Sequence, residues 1–549
     1  MMAALTAEDR VQELLARYSD PAACVADLLC DSHSADAVAF TVVESDGSAT
    51  TLTYGQLGNL SRRFAAALTE LGIGPGDRVA TLMGKSTAYL VTLLGIWRVG
   101  AVHVPLFTAF APPAIATRLL GSGARLVVCD AAQRPKLSPG PDLPARVPWL
   151  VVLSDESPAP GPDLNFSALV SGHEPTDVVA RVGGDAPLIH IYTSGTTGRP
   201  KGVIAPVKAL AGFQTYAEFA LGLRSDDVYW CAADPGWAYG LYFGVLGSLT
   251  TGVPSVLLHA GFSVESTWSV LVEHQVTNFA AAPTVYRSLR SSTVPVPDRL
   301  QLRCASSAGE PLTPEVNAWA ETALGVPVHD HYGQTEAGML INNAHHPAIA
   351  RPLRTGSMGQ ALPGWTMRVL HADRDEVAPP DTVGRIAADT GSPLAWFEGY
   401  EGQLDKTAEK FTADGRWYLT GDAGSVDADG YFRFSARDDD VIIMAGYRIG
   451  PFDIESVLAT HPAVTECAVV AAPDEIRGEV LEAYVVLAES ASEHSDLVGE
   501  LQQLVKTRFA AHAYPRRVHF VDELPKTPSG KIQRFVLRQL RQREHDGSA

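Results

Sequence analysis

Residues 191–202 read IYTSGTTGRPKG, and the apolar run PLIHIY, which begins at Pro187, leads into them. The apolar run predicts a buried strand. The small residues after it predict a loop whose backbone N–H groups and hydroxyls can point at an anion without steric cost. Lys201 adds a positive charge. Because two residues separate Gly198 from Lys201, the stretch departs from the Walker A pattern, and we predict a phosphate loop of a different kind.

Short apolar runs alternate with helix-like segments on both sides of this loop. RVATLMG is followed by an amphipathic segment at residues 87–99 and then by AVHVPL. PSVLLHA is followed by a helical segment at residues 264–274 and then by VTNFAAAP. Apolar strands separated by helices predict parallel sheets covered by helices. The predicted fold class is therefore α/β, with a large N-terminal domain of helix-covered sheets.

The residue pattern changes at residues 427–440, which read DADGYFRFSARDDD. Beyond this stretch lie strand-like runs (VIIMAGYRIG, ECAVVAAP and EAYVVLA) and helical segments at residues 452–460 and 496–511. With 549 residues the chain is too long for a single hydrophobic core. We predict a large domain over residues 1–436 and a small, mobile α+β domain over residues 437–549.

Composition limits the classes of partner. The formal net charge is −19, and an acidic surface repels nucleic acid and anionic membranes. The six cysteines form no CxxC pair and no cluster with zinc spacing. The N-terminus shows no secretory signal, and the apolar stretch at residues 89–110 contains Arg98 and Pro105, so we predict a buried helix and strand there. We expect a cytoplasmic protein that binds neither nucleic acid nor membrane. The sequence leaves open whether it is a monomer or a homodimer.

Four further stretches carry chemistry-bearing residues. AGEP occupies residues 308–311 and DHYGQTEAG residues 330–338. YLTGD, at residues 418–422, reads as a strand whose end places a carboxylate at a tight turn. PKTPSGKIQR, at residues 525–534, reads as a mobile loop that carries Lys531.

Together these stretches resemble the motifs of the adenylate-forming superfamily, which comprises acyl-CoA synthetases, luciferases and the adenylation domains of peptide synthetases. The motifs occur in the same order, and the resemblance runs from about Thr53 to Arg534. It implies an ATP-dependent acid–thiol ligase, which activates a carboxylic acid as its acyl-AMP, releases pyrophosphate and transfers the acyl group to coenzyme A. The implied small molecules are a carboxylic acid, ATP with Mg²⁺, and coenzyme A.

The resemblance also implies which residues bind the nucleotide. In the superfamily the aspartate matching Asp330 accepts from the adenine amino group, the tyrosine matching Tyr332 stacks on the ring, and the aspartate matching Asp422 takes both ribose hydroxyls. The implied ATP- and AMP-binding set is Thr193, Ser194, Gly195, Thr196, Thr197, Gly198, Lys201, Gly309, Glu310, Pro311, Asp330, His331, Tyr332, Gly333, Gln334, Asp422, Arg437 and Arg448.

Three residues match catalytic positions. Thr335 is implied to contact the α-phosphate, and Glu336 to hold Mg²⁺, which prefers carboxylate and phosphate oxygens. Lys531 is implied to touch both the attacking carboxylate and the α-phosphate, where a bridging cation offsets the repulsion of two anions. For His331 we favour a pocket or structural role over that of a base, because the acid substrate is already ionised near pH 7.

The second half-reaction in the superfamily follows rotation of the small domain, and Asp439 matches the hinge. The sequence AGYRIGPFDIE resembles most the acetyl- and medium-chain acyl-CoA synthetases. That resemblance implies coenzyme A contacts at Ala445, Gly446, Tyr447, Arg477, Lys506 and Tyr514.

The acyl pocket is the least defined part of the interpretation. DPGWAYG resembles the pocket entrance of the same group and places Trp237 and Tyr239 near the acyl chain. Acetate-specific enzymes have a tryptophan where this sequence has Gly333, so we expect an acid larger than propionate. An aliphatic short- or medium-chain acid is the first expectation and an aryl acid the second.

Three other functions fit the same motifs. A stand-alone adenylating enzyme could load a separate carrier protein, although the coenzyme A matches argue against it. An enzyme with an unusual acid or an amine or water acceptor would share the nucleotide motifs. A nucleotide-binding protein without catalysis would have no need of Lys531, Glu336 and the hinge, all of which are present.

Overall fold

A computed structural model describes residues 6–140, 142–144, 147–155, 161–193, 200–437, 440–444, 447–474, 478–488, 491, 496–509, 513–526 and 532–546; of these, residues 443, 444, 447, 448, 474, 478 and 542–546 are described by their backbone only. The α-helices are α1 (Ala7–Tyr18), α2 (Tyr54–Glu70), α3 (Thr87–Arg98), α4 (Pro112–Ser122), α5 (Phe166–Ser171), α6 (Leu210–Thr215), α7 (Gly247–Thr251), α8 (Val264–Glu273), α9 (Pro283–Ser291), α10 (Pro314–Ala323), α11 (Leu404–Ala408), α12 (Pro451–Leu458), α13 (Leu497–Arg508) and α14 (Arg534–Asp546). Asp27–Asp31, Tyr216–Ala220 and Gly240–Leu246 are π-helical segments, and Ala131–Leu137 and Val207–Ala209 are 3₁₀ turns.

Two large sheets form the N-terminal part. In spatial order, the first contains β7 (Leu164–Asn165), β6 (Leu150–Leu153), β5 (Leu126–Cys129), β3 (Arg78–Leu82), β4 (Val102–Pro105), β8 (Pro187–Thr193) and β9 (Lys201–Pro206). The second contains β16 (Gln360–Ala361), β15 (Gly338–Asn342), β14 (Val328–Gln334), β13 (Cys304–Ala308), β12 (Asn278–Ala281), β10 (Tyr229–Cys231), β11 (Ser255–His259), β1 (Val38–Glu44) and β2 (Ala49–Thr53).

Two smaller sheets follow in the chain. The third sheet is antiparallel and contains β17 (Met367–Leu370), β18 (Gly384–Asp389), β19 (Trp417–Val426) and β20 (Phe432–Arg437). The fourth contains β22 (Tyr447–Ile449), β21 (Ile442–Met444), β24 (Gly478–Leu487) and β23 (Val464–Asp474), and β25 (Arg517–Phe520) also pairs with β24. Helices α12 and α13 pack against one another beside this last sheet and share its core.

The first and second sheets share one hydrophobic core. Val79 of β3 and Phe40 of β1 both belong to it, together with nearly all of α3. Successive strand residues point to opposite faces, so Ala280 of β12 enters this shared core while Phe279 enters a separate core under α8, α9 and α10. The amphipathic segment predicted at residues 87–99 is therefore corrected, because α3 is buried on all sides and has no polar face.

The α/β fold class is confirmed, with one correction to the sheets. The central strands of both large sheets are parallel, as predicted, but β2, β9, β15 and β16 pair antiparallel at their edges. The third sheet has no parallel pair among its described strands. Short connections such as the turn between Gln334 and Gly338 allow only antiparallel pairing, because a parallel partner needs a long crossover.

A buried ion pair joins three of the N-terminal elements. The Arg98 guanidinium at the end of α3 is 0% exposed and donates to both carboxylate oxygens of Asp31, at 2.8 and 2.6 Å. It also donates to the Ser61 hydroxyl of α2 at 2.9 Å. Burial raises the pKa of Asp31, but the hydrogen bonds and charge of Arg98 outweigh it and hold that pKa below its usual value. The pair fixes α3 against its neighbours.

Removing one partner of this pair should destabilise the protein strongly. We expect Asp31→Ala to lower the free energy of unfolding by about 3–5 kcal/mol, since it leaves a buried guanidinium uncompensated. Asp185→Ala is the matched control. It breaks an exposed pair with Lys208 (2.8 Å) and should cost less than about 1 kcal/mol. Urea denaturation followed by tryptophan fluorescence measures both, and equal effects would contradict the assignment.

Candidate active site

The two motifs at residues 308–311 and 330–336 meet at one edge of the second sheet. Strands β13 and β14 are parallel, with Ala308 beside His331, so both motifs leave the sheet at its carboxyl end. Gly309 follows β13 with φ +103°, a backbone conformation that residues other than glycine rarely adopt. The turn after β14 carries Glu336 back to the antiparallel strand β15. Local strand pairing therefore brings residues of both motifs to one rim.

Asp422 is held by two side chains of β14. Its Oδ2 accepts from the Tyr332 hydroxyl at 2.5 Å and from the Gln334 amide at 2.7 Å. The same amide donates to the Thr420 carbonyl at 2.9 Å, while the Tyr418 hydroxyl donates to Gln334 Oε1 at 2.7 Å. Because every one of these bonds restrains Gln334 or Tyr332, the 5% exposed Asp422 carboxylate has a fixed position.

Arg437 lies next to Asp422 on the neighbouring strand. The two residues are opposite one another in the β19–β20 register, and Arg437 Nε is 3.9 Å from Asp422 Oδ1. The half-exposed guanidinium thus faces the carboxylate oxygen that Tyr332 and Gln334 do not contact. The strand prediction for YLTGD needs a correction, because β19 does not end at Asp422 but continues to Val426. Gly421, with φ +79°, admits an irregularity without ending the strand.

Lys201 and Glu336 meet around Tyr400. The Glu336 carboxylate is 7% exposed, and its Oε1 accepts from the Tyr400 hydroxyl at 2.7 Å. The Lys201 ammonium lies 4.4 Å from the centre of the Tyr400 ring. Burial lowers the pKa of Lys201, although the charge of Glu336 raises it. Lys201 begins β9, opposite Thr193 at the end of β8, so the strand pair places the cation at the mouth of the predicted phosphate loop.

Lys410 is a second cation at this rim. Its ammonium donates to the carbonyls of Thr420 and Leu419, at 2.9 and 3.2 Å. Burial lowers the pKa of Lys410, and the nearby carboxylates of Glu336 and Asp422 raise it. Neither Lys410 nor Tyr400 was predicted, because both belong to a stretch without a motif. The only sequence signal was that this stretch immediately precedes YLTGD.

Asp330 and Glu310 differ in their surroundings. Burial raises the pKa of the half-buried Asp330 to about 8, although backbone N–H groups of Leu312 and His331 lower it. Glu310 is paired with α9, where its carboxylate accepts from Arg287 at 2.8 Å and from the Thr284 hydroxyl at 3.0 Å. Glu310 can therefore contribute its backbone to a nucleotide pocket, while its carboxylate is paired with Arg287.

His331 is buried in a chain of hydrogen bonds. Its Nε2 lies 3.0 Å from the Asn343 carbonyl, and its Nδ1 lies 2.7 Å from the Tyr216 hydroxyl. The Tyr216 hydroxyl in turn lies 2.9 Å from that of Tyr239. Burial lowers the pKa of His331 to about 3, so the ring is neutral at pH 7. A neutral ring with both nitrogens engaged is a poor general base.

Among the described residues, one group of three could ligate a metal, namely His329, His331 and His345. The Asn343 carbonyl is within 2.7 Å of His329 Nδ1 and 3.0 Å of His331 Nε2. A carbonyl oxygen only accepts, so both nitrogens carry protons and cannot ligate. His345 Nε2 contacts the Ser306 hydroxyl at 3.0 Å. The Tyr216 hydroxyl engages the other nitrogen of His331 at 2.7 Å, so His331 has no nitrogen left for a metal and the group of three is incomplete as a ligand set.

Comparison with known proteins identifies the family. The model of the AMP-binding enzyme family matches residues 30–400, and that of the AMP-binding enzyme C-terminal domain matches residues 453–531. The chain belongs to the AMP-binding enzyme family. It is 35% identical to the human mitochondrial acyl-coenzyme A synthetase ACSM4 over 508 residues, which cover 90% of this chain and 85% of that relative.

Solved structures agree with this assignment. The acyl-CoA synthetase of Brucella canis is 42% identical, with a TM-score of 0.75 over 98% of this chain and 97% of that one. The anthranilate CoA ligase AuaEII, solved with anthranoyl-AMP, is 27% identical, with a TM-score of 0.85 over 96% of this chain and 98% of that one. The predicted membership of the adenylate-forming superfamily and the predicted enzyme class, an acyl-CoA synthetase, are confirmed.

Several residues predicted from the family motifs lie outside the described part of the chain. These are Ser194, Gly195, Thr196, Thr197, Gly198, Asp439, Ala445, Gly446, Arg477 and Lys531. Tyr447 and Arg448 are described by their backbone only, in β22. Of the remaining coenzyme A predictions, Lys506 and Tyr514 are in contact, with the Lys506 ammonium 4.0 Å from the Tyr514 ring centre. The Arg516 guanidinium lies 3.8 Å from the same ring. No described helix is long and apolar enough to cross a membrane.

The three predicted acyl-pocket residues have separate surroundings. Trp237 packs on Phe107 and Phe110, each at 5.4 Å between ring centres, whereas Tyr239 packs on Tyr216. Gly333 itself is closely packed by the neighbouring strand β15. A Cβ at this position would contact the Gly338 carbonyl and would lie 2.6 Å from Met339 Sδ. Met339 fills the volume that a side chain at position 333 would take.

Gly333 should therefore tolerate no side chain. We expect Gly333→Ala to cost about 1–3 kcal/mol in the free energy of unfolding, since backbone cannot move aside as a flexible side chain can. Gly74→Ala is the control, because a Cβ there would meet nothing within 4 Å. Differential scanning calorimetry of both variants checks this. A Gly333→Ala protein as stable as Gly74→Ala would show that the site relaxes.

Proposed function

We propose that the chain activates a carboxylic acid with ATP as its acyl-AMP and transfers the acyl group to coenzyme A, with a residue assignment that follows the rim of the second sheet. The observation that carries the assignment is the Asp422 carboxylate. It is fixed by Tyr332 and Gln334 and faces Arg437 through its second oxygen. A rigid carboxylate whose second oxygen faces a cation suits a ribose diol attached to a phosphate.

The adenosine part of ATP binds along this rim. Asp330 accepts from the adenine amino group, Tyr332 contacts the ring, and the backbone after β13, at residues 309–311, lines its other face. Asp422 takes the ribose hydroxyls. These residues come from two adjacent parallel strands and from β19, and their spacing is supported by the direct hydrogen bond between Tyr332 and Asp422.

The phosphates lie toward the opposite end of the rim, beside Lys201, which begins β9 opposite Thr193. Glu336 would hold Mg²⁺. Its buried carboxylate keeps one oxygen on the Tyr400 hydroxyl, and such hard oxygen donors suit this ion. When bound, the ion would neutralise charge on the phosphates. Lys201 and Lys531 act directly on the anions. Lys201 holds the leaving phosphates, and Lys531 screens the attacking carboxylate from the α-phosphate near Thr335.

The second half-reaction uses the C-terminal part. We propose the domain boundary between residues 436 and 437, at the end of β20, with Asp439 as the hinge. Tyr514, with Lys506 and Arg516 over its ring, offers a locally positive aromatic surface in a chain of net charge −19. Such a surface suits the phosphorylated nucleotide end of coenzyme A. Rotation would exchange Lys531 for residues 445–447 at the acyl-AMP.

Lys531 should be needed for the first half-reaction. With MgATP and a panel of acids, we expect Lys531→Ala to lower pyrophosphate release about 10²–10³-fold, the usual effect of losing one group that stabilises developing charge. Lys526→Ala is the matched control. It removes a nearby lysine that is paired with Glu466 at 2.8 Å, and it should remain within about threefold of wild type.

Coenzyme A decides the acceptor in the same assay. Multiple turnovers that depend on coenzyme A with one acid would support the proposal. Pyrophosphate formed once per enzyme, without restart by coenzyme A, would contradict it and point to a carrier protein or another acceptor. An aliphatic short- or medium-chain acid larger than propionate is tested first, and aryl acids second.

Adenosine binding should depend on pH through Asp330. Its pKa of about 8 in the free protein means that Asp330 is largely protonated at pH 7, where it accepts from adenine only through a neutral carbonyl oxygen. Because an ionised carboxylate is the stronger acceptor, affinity should rise between pH 7 and pH 9, by at most about tenfold. Adenosine is chosen because it has no phosphate to titrate. Calorimetric titration measures this, and Asp330→Asn, with a neutral amide carbonyl, should bind independently of pH. A flat wild-type profile would refute the role of Asp330.

A further inference from the structure

The direction of the hydrogen bonds around His331 can be deduced. Burial lowers the pKa of His331 to about 3, so the ring carries one proton at neutral pH. Its Nε2 lies 3.0 Å from the Asn343 carbonyl oxygen, which can only accept. The proton is therefore on Nε2, and Nδ1 is an acceptor.

The two tyrosines that follow must then donate in one direction. Since His331 Nδ1 accepts, the Tyr216 hydroxyl donates to it across 2.7 Å. A phenol has one proton, so the Tyr216 oxygen has only acceptor capacity left for Tyr239, 2.9 Å away. Tyr239 therefore donates to Tyr216. Its own proton is committed to the interior, and its oxygen keeps a lone pair.

Tyr239 lies close to the predicted reaction centre. It immediately precedes the π-helical segment Gly240–Leu246, in which the Tyr242 hydroxyl donates to the Thr335 carbonyl at 3.3 Å. Tyr239 is also joined through Tyr216 to His331, which lies on the strand that leads to Thr335. Phe243 packs on Tyr239 at 5.3 Å, and both rings belong to the apolar lining of this region. Tyr239 is half-buried, which leaves part of it accessible.

We infer that Tyr239 offers the acyl group a hydrogen-bond acceptor and no donor, so that the preferred acid carries a hydroxyl or amino group on its acyl chain. The inference rests on the proposed function, because it assumes that the acyl chain extends from Thr335 toward Tyr239. In an apolar lining, a substrate donor would complete the chain from Tyr239 through Tyr216 to His331. A substituent that only accepts would face the Tyr239 lone pair and would be rejected.

The experiment compares acids that differ in one substituent. Each set contains a hydroxyl, a methyl and a methoxy derivative at the same position, in an aliphatic and an aryl series. The value of kcat/KM is measured from coenzyme A-dependent pyrophosphate release. For the wild type we expect the hydroxy acid to exceed the methyl acid about tenfold or more, which is the effect of one hydrogen bond to a buried partner. The methoxy acid should be the poorest substrate.

Three variants separate hydrogen-bond direction from pocket shape. Tyr239→Phe should abolish the advantage of the hydroxy acid. Tyr216→Phe removes the internal acceptor and frees the Tyr239 proton to turn toward the substrate, so the methoxy acid should gain relative to the methyl acid. Tyr229→Phe deletes another buried phenol hydroxyl, one outside the chain, and should keep the wild-type order.

The outcomes are distinguishable. Pyrophosphate release with none of the acids would contradict the proposed function. Turnover with coenzyme A but with equal rates for hydroxy and methyl acids would overturn the inference alone. An unchanged substrate order in Tyr239→Phe would also overturn it, and this variant decides the matter should Tyr216→Phe fail to fold.

Discussion

The Asp422 carboxylate is one of the points at which the second and third sheets are joined, and the rim of the site depends on it. Tyr332 and Gln334 leave β14 in the second sheet, while Asp422 lies in β19 of the third. Buried carboxylates need donors, and here both come from the neighbouring sheet. The bonds therefore hold the sheets together and at the same time set the distance between the residues assigned to adenine and to ribose.

A chain of net charge −19 must still attract anionic substrates. It does so locally, since Lys201 and Lys410 lie among the carboxylates of Glu336 and Asp422 rather than on a basic surface. Burial lowers the pKa of both lysines, and the carboxylates raise it. Such a cluster places positive charge at the site within an acidic chain. Tyr400 lies between a positive and a negative group, with its ring toward the Lys201 ammonium and its hydroxyl toward the Glu336 carboxylate.

Proton positions are fixed in the interior of the site as firmly as side chains are. Desolvation keeps His331 neutral and favours a protonated Asp330 in the free protein. A neutral histidine donates from one nitrogen and accepts at the other, so it fixes the direction of hydrogen-bond donation. Tyr216 must therefore donate to His331, and Tyr239 must donate to Tyr216. Hydrogen-bond polarity in the region assigned to the acyl group is thus set by a carbonyl of Asn343 on the far side of the ring.

The sequence by itself determined the family and the α/β fold class, because each motif is contiguous and its chemistry follows from residue types at short spacing. It also indicated that His331 is not a base. It did not determine the antiparallel edges of the large sheets, the continuation of β19 past Asp422, or the filling of the Gly333 site by Met339. Only the tertiary structure placed Tyr400 on Glu336, 64 residues apart, and Tyr216 on His331, 115 residues apart. Contacts at such separations depend on how sheets and helices pack, and no local pattern of residues encodes that packing.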